Sequence, residues 1–209
     1  MIEVYYAAPS IYGRKVLAVL EEKGLDYTIK KMSFSSADNQ KEEYLKLNPN
    51  GEIPTIVDDG SVIYESTAII EYLNDEYVEP PLMPEDSFGR ACVRMVEDFC
   101  DLHLYRAIIK SVVKKFFKNE TLEEADKALI AADMKRIEKY LGAQTFITGK
   151  ELTLADCAVM PAIARLEGLG FADLAATSPA LKQYAARLKA RPGYKGASLL
   201  QLETAASNA

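Results

Sequence analysis

Three short stretches of this chain carry residues suited to binding a small peptide that brings its own thiol. Ser10 follows an apolar, aromatic stretch, where its hydroxyl can cap a helix or donate a hydrogen bond to a bound sulfur. Pro54 has no backbone N–H to give to a neighbouring strand, so the backbone of Ile53 is left for an extended ligand. Glu65 can accept an ammonium group, and a helix that begins at Ser66 attracts a carboxylate to its N-terminus.

The chemistry that these groups suit is the activation of a thiol. A hydroxyl that donates to sulfur at a helix N-terminus favours the thiolate, which is the nucleophilic form. Lowering a thiol pKa by about 2 from roughly 8.5 raises the thiolate fraction at neutral pH from about 3% to about three quarters. Cys92, Cys100 and Cys157 all lie far along the chain from Ser10, so the sulfur is expected to come from the ligand. Each group also has a purely structural interpretation, as a helix cap, a strand-start proline or a solvated glutamate.

A small mixed α/β unit is predicted to position these residues. Apolar alternation and turn residues predict its elements. In chain order they are a strand over residues 2–7, a helix ending at Gly24, a strand over 26–32, a short helix around Tyr44, two strands joined by an Asp59-Gly60 hairpin, and a helix from Ser66. The first strand, helix and strand form a βαβ unit, for which a right-handed crossover is expected.

The rest of the chain is predicted to be helical. Pro80, Pro81 and Pro84 indicate a stiff linker over residues 78–86. Beyond it, apolar residues at steps of three and four predict a long helix over 88–117, whose stripe is interrupted by Arg106. Further helices are predicted over 122–141, from Thr153 with a capping box to Asp156, over 179–190 and over 194–202.

Composition favours a reduced, cytoplasmic protein. The net charge of −6 gives no electrostatic footprint for nucleic acid. The three cysteines are an odd, widely spaced set without metal-ligand spacing, so no metal is expected. The N-terminus has no pattern of a secretory signal, and no apolar run approaches membrane-spanning length.

Four motifs of this chain resemble those of the cytosolic glutathione transferases, in particular the serine-type, phi- and theta-like classes. They are Ala-Pro-Ser-Ile-Tyr-Gly-Arg-Lys-Val-Leu at 8–17, Leu-Asn-Pro-Asn-Gly-Glu-Ile-Pro at 47–54, Glu65-Ser66, and Leu-Thr-Leu-Ala-Asp at 152–156. The resemblance implies the fold class α/β plus all-α: a thioredoxin-like domain over 1–77, a linker over 78–86 and an all-helical domain over 87–209.

The resemblance also implies a function and a set of site residues. Glutathione would be conjugated to small, mostly apolar electrophiles, as in detoxification, with peroxide reduction as a further activity, by a homodimer. Ser10 would be catalytic, and the residues that bind glutathione would be Gln40, Lys41, Ile53, Pro54, Glu65 and Ser66, with Asn39 a weaker candidate. The acceptor pocket would lie near Tyr12, Cys100, His103 and Tyr105, although Cys100 and His103 also fit a helix face turned to the core. Asp98 or Asp101 would reach the glutathione amine across the dimer.

Some residues depart from these relatives. Asn50 stands where some classes place an aromatic key for the partner subunit, and Glu52 stands where glutamine is common. Ser10, Ile11 and Tyr12 replace the Ser-Ser-Cys of the zeta class, which argues against maleylacetoacetate isomerase.

A second resemblance leaves an alternative function open. The Pro-Pro-Leu-Met-Pro run at 80–84 is similar to stringent starvation protein A, a non-catalytic transferase-fold protein associated with RNA polymerase. That family, however, lacks a serine matching Ser10 and has Pro-His where this chain has Val78-Glu79.

Overall fold

A four-stranded mixed sheet with flanking helices forms the first part of the fold. The structure is a computed structural model, and it describes residues 1–198. The elements are β1 (Ile2–Tyr6), α1 (Ile11–Glu22), β2 (Tyr27–Lys31), α2 (Glu42–Leu45), β3 (Thr55–Asp58), β4 (Ser61–Tyr64) and α3 (Ser66–Glu76). A 3₁₀ turn, Asp38–Gln40, precedes α2.

The strand order is β2-β1-β3-β4. Strand β1 is parallel to β2 and antiparallel to β3, and β3 pairs with β4 as a hairpin. Asp59 and Gly60 both have positive φ, 44° and 87°, which the tight hairpin turn requires. The predicted thioredoxin-like arrangement of the first part is confirmed.

The second part is helical, as predicted. Helix α4 (Ser87–Phe99) continues through a π-helical turn, Cys100–Leu104, into α5 (Tyr105–Val112) and a second π-helical turn, Val113–Phe117. The remaining helices are α6 (Glu124–Leu141), α7 (Leu154–Leu169), α8 (Pro179–Lys189) and α9 (Pro192–Ser198). Residues 199–202 of the last predicted helix lie outside the described residues. Within residues 1–198, no helix combines the length and apolar character needed to cross a membrane.

Helix α7 lies at the centre of the helical part and is buried on nearly every side. Its N-terminus carries the predicted capping box, in which Asp156 accepts a hydrogen bond from the backbone N–H of Thr153 at 2.9 Å. Helix α1 packs between α7 and α9, and one apolar core runs through both parts of the fold. The division at residues 77 and 87 stays a prediction.

Candidate functional site

Ser10 lies in the turn between β1 and α1. Its backbone N–H donates to the carbonyl of Ala7 at 2.9 Å, which closes the turn. The hydroxyl oxygen accepts a hydrogen bond from the N–H of Gly13 at 3.0 Å and so caps α1. The hydroxyl itself donates to the carbonyl of Ile53 at 3.2 Å. A Cβ on Gly13 would lie 2.7 Å from the ring of Tyr6, so the glycine lets β1 and α1 approach this closely.

The turn that carries Ser10 is also held from the helical part. Arg165 on α7 donates one guanidinium nitrogen to the carbonyls of Ala8 and Pro9, at 3.1 and 2.6 Å. Arg165 is buried, and this burial together with the charge of Arg14 lowers its pKa to about 9. The turn before Ser10 is therefore fixed by a cation from α7.

The corner at Ile53 is shaped by the loop before β3. The amide of Asn48 donates to the carbonyl of Glu52 at 2.8 Å, and the oxygen of that amide accepts from the N–H of Asn50 at 3.0 Å. Gly51 has φ 62°, and a Cβ there would lie 3.0 Å from the carbonyl oxygen of Asn39. The bond between Ile53 and Pro54 is cis. The loop thus places Ile53 opposite Ser10.

The N-terminus of α3 forms a third side of the site. Ser66 was expected to cap this helix, but the cap position is Glu65, whose φ is 69°, and Ser66 is the first helical residue. Glu65 is exposed, and its carboxylate accepts a hydrogen bond from the amide of Asn50 at 3.2 Å. Within residues 1–198 the side chain of Glu65 makes no capping hydrogen bond to the helix, so the first N–H groups of α3 are available for an anion.

A cleft of about 720 Å³ joins these three sides to the long helix. Eight of the candidate site residues that the sequence singled out line it: Ser10, Tyr12, Asn39, Ile53, Pro54, Glu65, Ser66 and Asp101. The hydroxyl of Tyr12 donates to the carbonyl of Asp101 at 3.3 Å. Burial, and then the charge of Asp101, raise the pKa of Tyr12, so this phenol stays protonated at neutral pH.

Gln40 and Lys41, which were predicted to bind glutathione, are not among the residues that line the cleft. The side chain of Gln40 donates to the carbonyl of Gly51 at 3.3 Å, and Lys41 forms an ion pair with Asp38 at 2.6 Å. The weaker candidate Asn39 is the residue of this segment that lines the cleft, and its amide donates to the carbonyl of Gly51 at 2.6 Å. The 3₁₀ turn over Asp38–Gln40 turns Asn39 inward.

Three of the four acceptor-site candidates also lie outside the cleft lining. Cys100 and Tyr105 are fully buried in the core, where burial raises the pKa of the Cys100 thiol and that of the Tyr105 phenol above their usual values. His103 is exposed and stacks on Phe99, with ring centroids 5.4 Å apart. Only Tyr12 of this group faces the cleft.

The acceptor side of the cleft was predicted to lie at the long helix, but the residues that form it there are not the ones predicted. Among the described residues, one cation, Arg106, lies there between apolar side chains. The apolar side chains of the long helix are those of Leu102, Ile109, Val112, Val113 and Phe117, and Phe34 adds a second aromatic ring. The sequence did carry a signal for this side of the cleft. Leu102, Arg106 and Ile109 belong to the predicted stripe with one charged interruption, and all three line the cleft.

Buried charges support the floor of the cleft. The ammonium of Lys15, on α1, lies 3.0 and 2.8 Å from the two carboxylate oxygens of Asp101 and donates to the hydroxyl of Thr67 at 3.0 Å. Lys15 is fully buried, so this ion pair ties α1 to the long helix beneath the cleft. One turn earlier, Glu97 is buried, and that burial raises its pKa to about 7. Within residues 1–198, His, Cys, Asp and Glu side chains form no group of three or more that could hold a metal ion.

Two models of known protein families match the chain. Residues 9–76 match the glutathione S-transferase N-terminal domain, and residues 99–192 match the glutathione S-transferase C-terminal domain. The chain belongs to the glutathione S-transferase family. Within this family, Ser10, Ile53, Glu65 and Ser66 all fall in the matched N-terminal domain, whereas Arg106 falls in the matched C-terminal one.

Individual members of the glutathione S-transferase family differ in their named roles. The chain is 30% identical to a stringent starvation protein A homolog from Haemophilus ducreyi, over 88% of this chain and 83% of that protein. It is also 30% identical to maleylacetoacetate isomerase from Pseudomonas aeruginosa, over 86% of this chain and 92% of that protein. A delta-class glutathione transferase from Nilaparvata lugens superposes with a TM-score of 0.86 at 30% identity, covering 98% of this chain and 99% of that one.

Proposed function

We propose that this protein is a glutathione transferase that joins the thiolate of glutathione to small, mostly apolar electrophiles. The observation that carries the proposal is the position of Ser10, whose hydroxyl lies 3.2 Å from the carbonyl of Ile53 in the cleft that Glu65 and Ser66 also line. The likeness to a delta-class transferase supports it. The proposal also includes the reduction of peroxides by the same thiolate. It further includes a cytoplasmic location and a homodimer that needs no metal.

Glutathione would lie along the side of the cleft that the sheet forms. The backbone of Ile53 pairs with its cysteinyl part, as an added strand would. The free N–H groups of α3 and the hydroxyl of Ser66 take the γ-glutamyl carboxylate, and Glu65 takes the ammonium. Asn39, which lines the cleft, meets the glycyl end, and Gln40 and Lys41 follow it directly in the chain.

The hydroxyl of Ser10 can cap α1 and activate the thiol at the same time. The cap uses a lone pair of the oxygen, which accepts from Gly13, and leaves the hydroxyl hydrogen free to donate. That hydrogen points to the carbonyl of Ile53, and it needs only to rotate about the C–O bond to reach a sulfur beside Ile53. A donor held in place by the cap loses little entropy when it turns to the thiolate.

The reaction then needs little more from the protein. The thiol of glutathione loses its proton to solvent, and the thiolate attacks the electrophilic carbon, with formation of a C–S bond. A leaving group departs, or a C=C bond takes up a proton at its other carbon. The protonated phenol of Tyr12 lies beside this region and can donate to developing negative charge on the acceptor.

The test is the substitution Ser10→Ala. If Ser10 lowers the thiol pKa by about 2, the variant should lose roughly 25-fold in turnover of a chlorinated nitroarene at pH 7, because the thiolate fraction falls from about three quarters to about 3%. The apparent pKa of kcat/KM should rise by about 2, while calorimetry shows little change in glutathione affinity.

Loss of the helix cap is controlled separately. Ser178 caps α8 by the same kind of bond, from the N–H of Leu181 at 3.2 Å, and it does not line the cleft. Ser178→Ala should therefore cost about 1 kcal/mol of stability and leave turnover unchanged, while Ser10→Thr should restore part of the activity. Equal rates for Ser10→Ala and the unsubstituted protein would refute the role of Ser10.

A non-catalytic role is the second candidate, because the stringent starvation protein A homolog is as similar in sequence as the maleylacetoacetate isomerase. Such an interaction protein has no need of glutathione. Retention on immobilised glutathione, together with calorimetric titration, separates the two. Failure in both assays would favour the interaction protein over the enzyme.

A further inference from the structure

We infer that Arg106 selects electrophiles that carry a carboxylate on an apolar body. This inference rests on the proposed function and specifies its acceptor. Arg106 is exposed on α5 and lines the cleft, one turn after Leu102 and one turn before Ile109. Its guanidinium makes no hydrogen bond or ion pair with any other residue of the described part of the chain. The guanidinium of Arg106 therefore lies among apolar side chains, with its N–H donors unpaired within the described residues.

The other charges of the cleft leave Arg106 as its one unpaired cation among the described residues. Glu52 and Glu65 lie on the side that glutathione would occupy. Asp101 is bound to Lys15 at 2.8 Å and is not available to Arg106. An anion that enters the acceptor half thus meets the positive charge of Arg106.

Arg106 is also close to the reacting region. Its positive charge lowers the pKa of Tyr12, against the larger effects of burial and of Asp101. Tyr12 and Ser10 both line the same cleft. A ligand whose carboxylate is on Arg106 can therefore extend past Tyr12 towards the thiolate at Ser10.

The walls around Arg106 determine the rest of the ligand. Ile109, Val112 and Val113 follow it along the helix, and the aromatic rings of Phe34 and Phe117, 39% and 55% exposed, line the same space. These side chains suit an aryl or alkyl body, and a bidentate carboxylate–guanidinium pair in such surroundings is strong and directional.

A matched pair of probes tests the inference. They are 4-chloro-3-nitrobenzoate and its methyl ester, which differ only in the charge of the carboxyl group. With either, the thiol proton passes to solvent, the glutathione sulfur bonds to the carbon that bears chlorine, and chloride leaves. Arg106→Gln should lower kcat/KM for the acid at least tenfold more than for the ester, and Arg106→Lys should recover part of the difference. Comparing ratios cancels the different intrinsic reactivities of the two probes.

The control charge lies on the same helix. Lys110 is exposed one turn after Arg106 and does not line the cleft, so Lys110→Gln should leave both rates unchanged. An equal loss for acid and ester in Arg106→Gln would overturn the inference.

A binding experiment distinguishes the inference about Arg106 from the proposed transferase activity. Calorimetry with unreactive 4-methyl-3-nitrobenzoate should show affinity that falls at least tenfold in Arg106→Gln, and the same affinity in both proteins would also overturn the inference. If neither chlorinated probe is conjugated while this Arg106-dependent binding persists, the proposed transferase activity fails and the carboxylate site stands.

Discussion

Replacing Glu97 by glutamine should stabilise the protein, and by much more at alkaline than at acid pH. Glu97 is fully buried on α4, and neither oxygen of its carboxyl group has a hydrogen-bond partner among the described residues. Burial is the main cause that raises its pKa to about 7. The charge of Lys15 opposes the rise, those of Glu71 and Asp101 add to it, and that of Arg94 opposes it.

The size of the effect follows from the two pKa values. In the unfolded chain the carboxyl titrates near 4.5, so between pH 4.5 and pH 7 the folded protein keeps a proton that the unfolded chain releases. The contribution of Glu97 to stability is therefore most favourable below pH 4.5, falls as pH rises through this interval, and stays low above it. The loss amounts to about 1 kcal/mol at pH 5.5 and about 3 kcal/mol at pH 8. Glutamine has the shape of the protonated acid and never ionises, so Glu97→Gln removes this loss.

Urea unfolding at pH 5.5, 6.5 and 8, at one protein concentration, measures the difference between variant and unsubstituted protein. The difference should widen by about 2 kcal/mol across this range. Glu85 is exposed, so Glu85→Gln makes the same chemical change without relieving a buried charge and should give a small, constant difference. A Glu97→Gln variant whose advantage does not grow with pH, or which is less stable at pH 8, would show that Glu97 does not carry a destabilising buried charge.

Two further substitutions test the packing of helices that position the site. A Cβ on Gly196 would lie 2.6 Å from the backbone carbonyl oxygen of Leu17. Gly196→Ala should therefore push α9 away from α1 and lower the free energy of unfolding, measured by chemical denaturation, by about 1–3 kcal/mol. As a control, a Cβ on Gly168 would meet nothing within 4 Å, so Gly168→Ala should be neutral or slightly stabilising. Asp156→Ala leaves the buried donors of Ile147 and Tyr184 unpaired and should lower the free energy of unfolding by about 3–5 kcal/mol. Replacing the exposed cap Asp86 by alanine should cost only about 1 kcal/mol. Similar losses for both variants would show that burial adds nothing.

The elements predicted best are those encoded by neighbouring residues. The hairpin at Asp59-Gly60 and the capping box of Thr153 and Asp156 depend on residues at most three positions apart, and both are present. The half of the site that the sheet carries could be predicted for the same reason. Ser10 and Ile53 each end a local turn, and the βαβ topology brings those turns to one edge of the sheet.

Spacing along the long helix predicts which residues share a face, but not whether that face meets the cleft or the core. The helix has two apolar faces, and the pattern does not tell which one faces the core. A π-helical turn also holds one residue more than an α-helical turn, which rotates the following residues by about 100° from the positions that regular spacing predicts. Cys100, at the start of this turn, and Tyr105, directly after it, both lie in the core. Contacts such as Lys15 with Asp101, 86 residues apart, leave no trace in local sequence.

The hydrogen bonds from Arg165 to the carbonyls of Ala8 and Pro9 limit the exchange of domains between related proteins. The residues proposed to bind glutathione belong to the first 77 positions, but the turn that presents Ser10 is completed by a side chain some 155 positions later in the chain. A chimera that joins this sheet part to a relative's helices would keep those residues while losing the guanidinium that supports the Ser10 turn. The same holds during synthesis on the ribosome, where the Ser10 turn reaches its final support only after α7 has emerged and docked.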